Sequence, residues 1–344
     1  MRIPGLDTRE LHGRTFTCLP GCGFCCTFQP EADQRELALL RARLRPRALP
    51  VVVGDGRSYL GLHNKCGACT LLERRNCTQY DLRPQHCRYF PFHVHFGRTP
   101  EAYVNYTCRG VERLATSDLE GPFATSLLAN AKDAEIADHI RGAREAYATF
   151  ERNAKKSGAW GDVAEVVERA LAEDPFTRGW MGSALERADE ELEPEEMLAD
   201  ALEPFSDPDI TKRPFYLAPD LKWITFDGPT RAVEMDEHGA LQPLRTIPPL
   251  EGWAAPAADL RPYLRELAAR GVFEGSVFAL VDESDYTTTV PQATWWRLAE
   301  VVADLSVRAR ILALLDVPPA RIAEETARFY DSTFLDADGI GGFL

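Results

Sequence analysis

The sequence predicts an α+β protein in which an irregular cysteine-rich N-terminal module precedes a mainly helical and mixed α/β body. All nine cysteines lie within the first 108 residues, and the remaining 236 residues contain none. Downstream, segments with apolar residues at helical spacing are interspersed with short strand-like segments. These observations predict a cysteine-cluster module at 1–115, a helical region at 116–205 and a mixed α+β region at 206–344.

The charge is divided unevenly between the two ends of the chain. Residues 1–110 contain 16 Lys and Arg against 9 Asp and Glu, a net charge of +7, whereas residues 111–344 contain 23 against 44, a net charge of −21. The total of −14 argues against a general nucleic-acid-binding protein. The sequence has no apolar run of about 18 residues that would predict a membrane span.

The chain begins with MRIPGLDTRELHGRTFTC, which lacks the apolar core of a secretory signal. We therefore expect a cytoplasmic protein without a membrane partner. No feature of the sequence indicates an oligomeric state.

Periodicity predicts the elements of the N-terminal module. Apolar residues at helical spacing predict a helix within residues 30–45, which Pro46 ends. The segment VVVGDGRSYLGL at 51–62 predicts a β-hairpin that turns at its Gly-Asp-Gly sequence. A short strand is predicted to run from Ala102 to Cys108.

The body is predicted to contain strands at 214–227 and 230–244, the second with a turn near Glu237–Gly239. A helix is predicted to end at Gly271, followed by a short apolar strand, SVFALVDES, at 276–284. Two closing helices are predicted at 292–315 and 320–333.

The cysteines fall into two groups and a final member, with the spacing C-x3-C-x2-C-C, then C-x2-C-x7-C-x9-C, then C-x20-C. The candidate metal ligands are Cys18, Cys22, Cys25, Cys26, Cys66, Cys69, Cys77, Cys87 and Cys108. Thiolates are soft ligands that select zinc, Cu(I) or iron–sulfur clusters. In a reducing compartment such a dense and odd-numbered set predicts metal binding rather than disulfides.

The adjacent pair Cys25–Cys26 constrains the number of centres. Neighbouring side chains of an extended chain point to opposite faces, so both sulfurs reach one ion only through a sharp turn. Two nearby centres are one solution, and one ligand beside one reactive or supporting thiol is another. Because nine thiols exceed the four that one zinc ion or one [4Fe–4S] cluster requires, we favour an iron–sulfur cluster, with zinc as the alternative.

Several other residues near the cysteines are candidates for roles at the centre. Histidine is a common ligand, but with enough sulfurs available a polar supporting role is expected; the five candidates are His12, His63, His86, His93 and His95. Nearby arginines would offset the negative charge of a thiolate site, and these are Arg14, Arg74, Arg75, Arg83, Arg88 and Arg109. Tyr80, Tyr89 and Phe90 are expected to pack around the centre, and Trp295–Trp296 to lie at the edge of the core.

The cysteine motifs resemble those of the CxxCxxCC family, also called YkgJ-like and labelled zinc- or iron-chelating, over residues 15–110. The resemblance rests on F-x-C…C-x-x-C-C at Phe16–Cys26 and on C-x-L…C-x-x-Y-x-x-R-P-x-x-C-R-x-F-P at Cys69–Pro91. Two departures, a first gap of three residues instead of two and the additional Cys66, leave open which four sulfurs share a centre.

The resemblance implies more than metal binding. One branch of the family, the flagellin lysine N-methylases, looks like a group of [4Fe–4S] proteins that use S-adenosylmethionine to methylate surface lysines. By this resemblance the chain is a candidate protein-lysine methyltransferase with a protein substrate, although no catalytic or S-adenosylmethionine-binding residue can be matched. The alternatives are a non-enzymatic, zinc-stabilised interaction or metal-handling module and an electron-transfer protein.

Overall fold

A computed structural model describes residues 3–54, 56–118, 133–334 and 340–343 of the protein. It confirms the α+β class, since the described residues form ten α-helices and several small antiparallel sheets. Part of the predicted helical region, residues 119–132, and Asp55 of the predicted hairpin turn lie outside the described residues. Within the described ranges, no helix is both long and apolar enough to cross a bilayer.

The N-terminal module consists of short strands and two small helices. Its elements are β1 (His12–Phe16), α1 (Gln34–Leu44), β2 (Val51–Gly54), β3 (Arg57–Leu60), β4 (Leu72–Glu73), β5 (Asn76–Cys77), α2 (Gln85–Tyr89), β6 (Phe92–Phe96), β7 (Pro100–Val104) and β8 (Val111–Asp118). The module contains three hairpins, β2–β3, β4–β5 and β6–β7, while β1 pairs with the distant β8. All of these pairs are antiparallel.

The body is mostly helical and carries one four-stranded sheet. Its elements are α3 (Asp133–Ser157), α4 (Val163–Ala172), α5 (Arg178–Ala188), α6 (Pro194–Leu202), β9 (Tyr216–Leu217), β10 (Trp223–Phe226), β11 (Arg231–Met235), β12 (Leu241–Thr246), α7 (Arg261–Ala268), α8 (Gly271–Glu283), α9 (Val290–Leu314), α10 (Ile322–Phe334) and β13 (Gly342–Phe343). The sheet has the order β12-β11-β10-β9, and β13 pairs with β6 of the module.

The predicted strand at 276–284 is wrong, because residues 276–283 belong to helix α8 and Ser284 caps the end of this helix. The buried residues of α8 include Val272, Phe273, Val277 and Val281. Their helical spacing is visible only when the segment is read from the first residue of the helix, Gly271. Gly271, predicted as a stop signal, instead begins α8, and its N–H donates to a carboxylate oxygen of Glu101 at 2.5 Å.

Two further predictions need correction at their edges. The strand predicted for 102–108 ends earlier, at Val104, and Cys108 lies in the turn that follows. Residues 116–118, predicted as helical, are the end of β8. By contrast, the structure confirms α1, the β2–β3 hairpin, the β11–β12 pair and the two closing helices.

Module and body share a large apolar core. Helix α9 lies in its centre, packed against α4, α5, α6, α8 and α10. The same cluster of buried side chains includes Phe92, Val94 and Val104 of the β6–β7 pair. Burial of this continuous apolar surface therefore holds the cysteine module against the helices. The predicted boundaries between the three regions of the chain stay a prediction.

A buried ionic network also joins the two parts. The Arg270 side chain is 3% exposed and donates from Nε and Nη2 to the Glu10 carboxylate, at 3.0 and 2.7 Å. Its Nη1 lies 3.2 Å from Oδ1 of Asp331, which also accepts from the Tyr263 hydroxyl at 2.5 Å. Burial raises the pKa of Glu10, and the positive charge of Arg270 partly offsets this rise. Arg270 thus ties the start of the chain to α10.

We predict that Arg270→Met destabilises the protein by about 3–5 kcal/mol, because it leaves the carboxylates of Glu10 and Asp331 buried without their cation. Urea unfolding followed by circular dichroism measures the change. The control is Arg265→Met, at an exposed position on α7, for which a change within about 0.5 kcal/mol is expected. Equal stability of the two variants would contradict a stabilising role for Arg270.

Candidate metal centre

The first cysteine loop follows β1 and turns sharply at two glycines. Gly21 and Gly23 have φ values of 73° and 58°, in the left-handed region that favours glycine. Gly23 begins the single 3-10 turn that contains Cys25 and Cys26. A Cβ on Gly23 would lie 3.1 Å from the carbonyl oxygen of Arg75, so this glycine allows the first loop to approach the second.

The second cysteine loop contacts the first directly. The N–H of Cys69 donates to the carbonyl oxygen of Cys26 at 2.8 Å. The β4–β5 hairpin then turns at Arg74–Arg75 and returns to place Cys77 opposite Leu72. Cysteines separated by about 50 residues in sequence therefore converge, as the spacing predicts.

The last two cysteines arrive on separate elements. Cys87 lies on the short helix α2. Just before this helix, the guanidinium of Arg83 stacks on the Tyr80 ring, with its Cζ 3.9 Å from the ring centroid. Cys108 lies in the turn before β8, where its carbonyl oxygen accepts from Nη1 of Arg328 at 3.0 Å. Helix α10 of the body thus helps to fix the position of Cys108.

Four sulfurs receive hydrogen bonds in the same local geometry. The sulfurs of Cys22, Cys69, Cys77 and Cys108 each interact with the backbone N–H two residues further along the chain. Such bonds favour the thiolate, which is the form that binds metals. They are also among the features that tune the potential of iron–sulfur clusters.

Cys25 interacts with thiols of both cysteine loops. Its charge acts on Cys22 and Cys108, and also on Cys69, Cys77 and Cys87. The Cys25 and Cys26 thiols also hydrogen-bond to each other, which lowers the pKa of Cys25 and raises that of Cys26. The adjacent pair therefore joins the two groups of sulfurs.

Burial holds most of the other thiols in their protonated form. It raises the pKa of Cys69 to about 11 and that of Cys108 to about 12. Burial also raises the pKa values of Cys22, Cys77 and Cys87. A bound cation supplies the positive charge that stabilises such thiolates, so metal binding here is coupled to proton release.

Within the described ranges, no group of three or more His, Cys, Asp or Glu side chains is spaced to hold a metal ion. Metal binding at the converging thiols therefore requires their ionisation and a closer approach of the sulfurs, and the ligand set stays a prediction. The Cys66 sulfur lies against the β11–β12 turn, where a Cβ on Gly239 would be 2.7 Å from it.

Of the five candidate histidines, His86 lies closest in sequence to a cysteine, Cys87, and burial lowers its pKa. The His63 ring packs edge-on against His238 of the body, with centroids 4.7 Å apart. Its Nε2 lies 3.4 Å from the carbonyl oxygen of Leu72. These contacts suit the supporting role expected for His63.

The remaining histidines face other groups. His93 is half-buried; desolvation lowers its pKa to about 3, and its ring stacks on Tyr103 with centroids 5.4 Å apart. Nδ1 of His95 lies 3.7 Å from a carboxylate oxygen of Glu101. Nε2 of His12 lies 3.5 Å from the Thr8 hydroxyl.

Two of the candidate arginines act on the thiols. The charge of Arg75 acts to lower the pKa of Cys22. The charge of Arg83 acts to lower the pKa values of Cys77 and Cys87. In each case the opposing effect of burial is larger. Arg14 instead pairs with Glu266 and Arg109 with Glu325. Trp295 is buried and tilts against Trp180, whereas Trp296 is partly exposed, so that the pair spans the edge of the core.

Sequence reasoning missed the residues of the body that clamp the two loops. Nε1 of Trp223, on β10, donates to the carbonyl oxygen of Cys22 at 3.0 Å. The Glu237 carboxylate, in the β11–β12 turn, accepts from the N–H groups of Arg74 and Arg75 at 3.1 and 2.8 Å. A tryptophan and a turn glutamate are common, so nothing in their local sequence distinguishes them.

A cavity of about 750 Å³ adjoins the cysteine loops. Its walls include Leu19 and Arg109, which directly follow Cys18 and Cys108 in the chain. Tyr106 and Tyr263 line it further, together with Arg321 and Ala323 from the C-terminal part of the body. Its size is that of a small-molecule site.

Comparison with known proteins identifies the module. Residues 17–109 match the model of the CxxCxxCC family, described as a "putative zinc- or iron-chelating domain". The match confirms the resemblance and spans all nine cysteines. No curated protein and no solved structure shows a significant match to the chain. The chain therefore carries the cysteine domain of a metal-binding protein.

We predict that Cys25→Ala and Cys87→Ala each lose most of the bound metal, because each removes a sulfur from the converging set. Cys66→Ala is the matched control and should keep its metal, since its sulfur lies against Gly239. Elemental analysis of anaerobically purified protein gives metal per chain. Wild-type content in both Cys25→Ala and Cys87→Ala would remove these residues from the ligand set.

Proposed function

We propose that residues 17–109 hold a cysteine-ligated iron–sulfur centre of the [4Fe–4S] type. The observation that carries the proposal is the contact between the two cysteine loops, which brings Cys25 into interaction with six other thiols and Cys18 into interaction with Cys22 and Cys108; four of these thiols accept backbone hydrogen bonds. A single zinc ion needs only four sulfurs, whereas this set suffices for one cluster with supporting thiols or for two. We place Cys66 outside the ligand set.

The charge around the thiols supports the same proposal. Four thiolates on a [4Fe–4S]²⁺ core or on Zn²⁺ leave a net negative site, which neighbouring cations stabilise. The charge of Arg83 favours the thiolate forms of Cys25, Cys77 and Cys87 by lowering their pKa values. Arg75 has the same effect on Cys22. Burial of the thiols would limit the exposure of the cluster to solvent, another factor that sets its potential.

Anaerobic purification tests the metal. The proposal predicts brown protein with a broad absorbance shoulder near about 400 nm and about four iron atoms per chain for one cluster, or about eight for two. Elemental analysis and electron paramagnetic resonance after reduction measure these quantities. Colourless protein with stoichiometric zinc would contradict the iron–sulfur proposal and support a zinc-stabilised module.

As a second candidate, we propose that the centre serves an enzyme acting on a molecule in the adjoining cavity. The favouring observation is the position of this cavity beside Cys18 and Cys108, because neither an electron carrier nor a zinc-stabilised module requires a small-molecule site there. The family resemblance makes S-adenosylmethionine the first ligand to test and a protein lysine the first acceptor. The resemblance alone does not fix this activity.

Calorimetry with S-adenosylmethionine tests this candidate on the metal-loaded chain. We expect micromolar binding that Ala323→Trp abolishes, because the indole would fill part of the cavity. Ala320→Trp, at an exposed position three residues away, should bind like the wild type. Absence of binding to the wild type would reject the methyltransferase while leaving the iron–sulfur proposal intact.

A further inference from the structure

The β2–β3 hairpin of the N-terminal module has one covered edge and one open edge. On the β3 side, Glu31 bridges to Tyr59, and the N–H of Ala32 donates to the carbonyl oxygen of Ser58 at 2.9 Å. Strand β2 (Val51–Gly54) pairs with β3 on its inner edge. On its outer edge it pairs with no other strand in the described part of the chain. An open edge of this kind can pair with another extended chain.

The open strand lacks the usual protection of edge strands. Charged side chains or proline normally blunt such an edge, yet β2 consists of three valines and a glycine. Val53 is 73% exposed and Val52 is 50% exposed. The strand therefore offers apolar side chains to solvent on both faces of the hairpin.

Exposed basic side chains lie on the helix that packs against this hairpin and on the segment that leads from it to β2. Four exposed arginines lie on α1 and in the segment leading to β2, and none of them makes an ion pair with the described residues: Arg35, Arg41, Arg43 and Arg45. Leu39 lies between Arg35 and Arg43 on one face of α1 and is 52% exposed. Helix and hairpin are held together, because Leu37 and Leu40 pack with Leu60.

We propose that this open edge, flanked by the arginines of α1, is a docking site for an extended acidic segment of a partner protein. The segment adds a strand to β2, its backbone pairs with the free edge, and alternate side chains meet Val53 and the arginines. The charge is complementary, because the site lies in the module with a net charge of +7. The site adjoins the cysteine loops, because Leu37, Leu40 and Leu60 pack in one cluster with Cys69.

The same observations disfavour two other classes of partner. Single-stranded nucleic acids stack on aromatic side chains, and residues 34–54 contain none. A membrane-surface helix needs a free apolar face, whereas the apolar face of α1, with Leu37 and Leu40, is buried in the module. A backbone-pairing acidic peptide uses both the edge and the arginines.

Fluorescence anisotropy with the full-length, metal-loaded chain tests the proposal. The probe is a labelled peptide of about eight residues in which Glu and Val alternate. We expect saturable binding that Arg41→Glu/Arg43→Glu weakens at least about tenfold. The charge-matched control is Arg144→Glu/Arg169→Glu, at exposed positions on α3 and α4, and should bind within about twofold of the wild type.

A second peptide with N-methylated valines distinguishes strand addition from simple charge attraction. It keeps the side chains of the first peptide but lacks the backbone N–H donors of its valines. We expect its binding to be lost, and Val53→Asp to weaken the parent peptide. No binding of the parent peptide, or equal binding of the N-methylated one, would overturn the proposal. Tighter binding to a single-stranded RNA of about 12 nucleotides, or to phosphatidylserine vesicles, would overturn it as well.

Discussion

The structure depends on the contact between two cysteine loops that are remote in sequence. The N–H of Cys69 donates to the carbonyl oxygen of Cys26, and Gly23 admits the backbone of Arg75 where any side chain would meet it. Without this contact the sulfurs of the first loop could not face those of the second. A thiol set assembled in this way couples metal binding to folding, because the unfolded chain holds no such site.

The body acts as a clamp on the module rather than as a separate unit. Trp223 fixes the backbone of Cys22, Glu237 caps the turn of the second loop, and Arg328 holds the carbonyl of Cys108. Each of these side chains comes from a different element of the body. Their contacts explain how a module of short strands keeps a defined geometry despite its small apolar core. Arg328 also lines the cavity beside the cysteines.

The sequence allowed the chemistry to be predicted better than the fold of the body. Thiol spacing and the Cys25–Cys26 pair indicated a metal centre because soft ligands at short spacing have few other uses. The failure at 276–284 has a physical cause, since a short apolar run fits a buried helix as well as a strand. The pairing of β1 with β8 and the clamp by Trp223 are long-range contacts without a local sequence signal. The contact of Cys66 with Gly239 is also of this kind.

The account rests on sulfurs from both loops sharing inorganic atoms. X-ray absorption spectroscopy at the edge of the bound metal tests this most directly, because it reports the elements in the metal's nearest shell. The account predicts a shell made of sulfur alone, at about 2.3 Å for zinc or iron. A shell dominated by oxygen and nitrogen would contradict it.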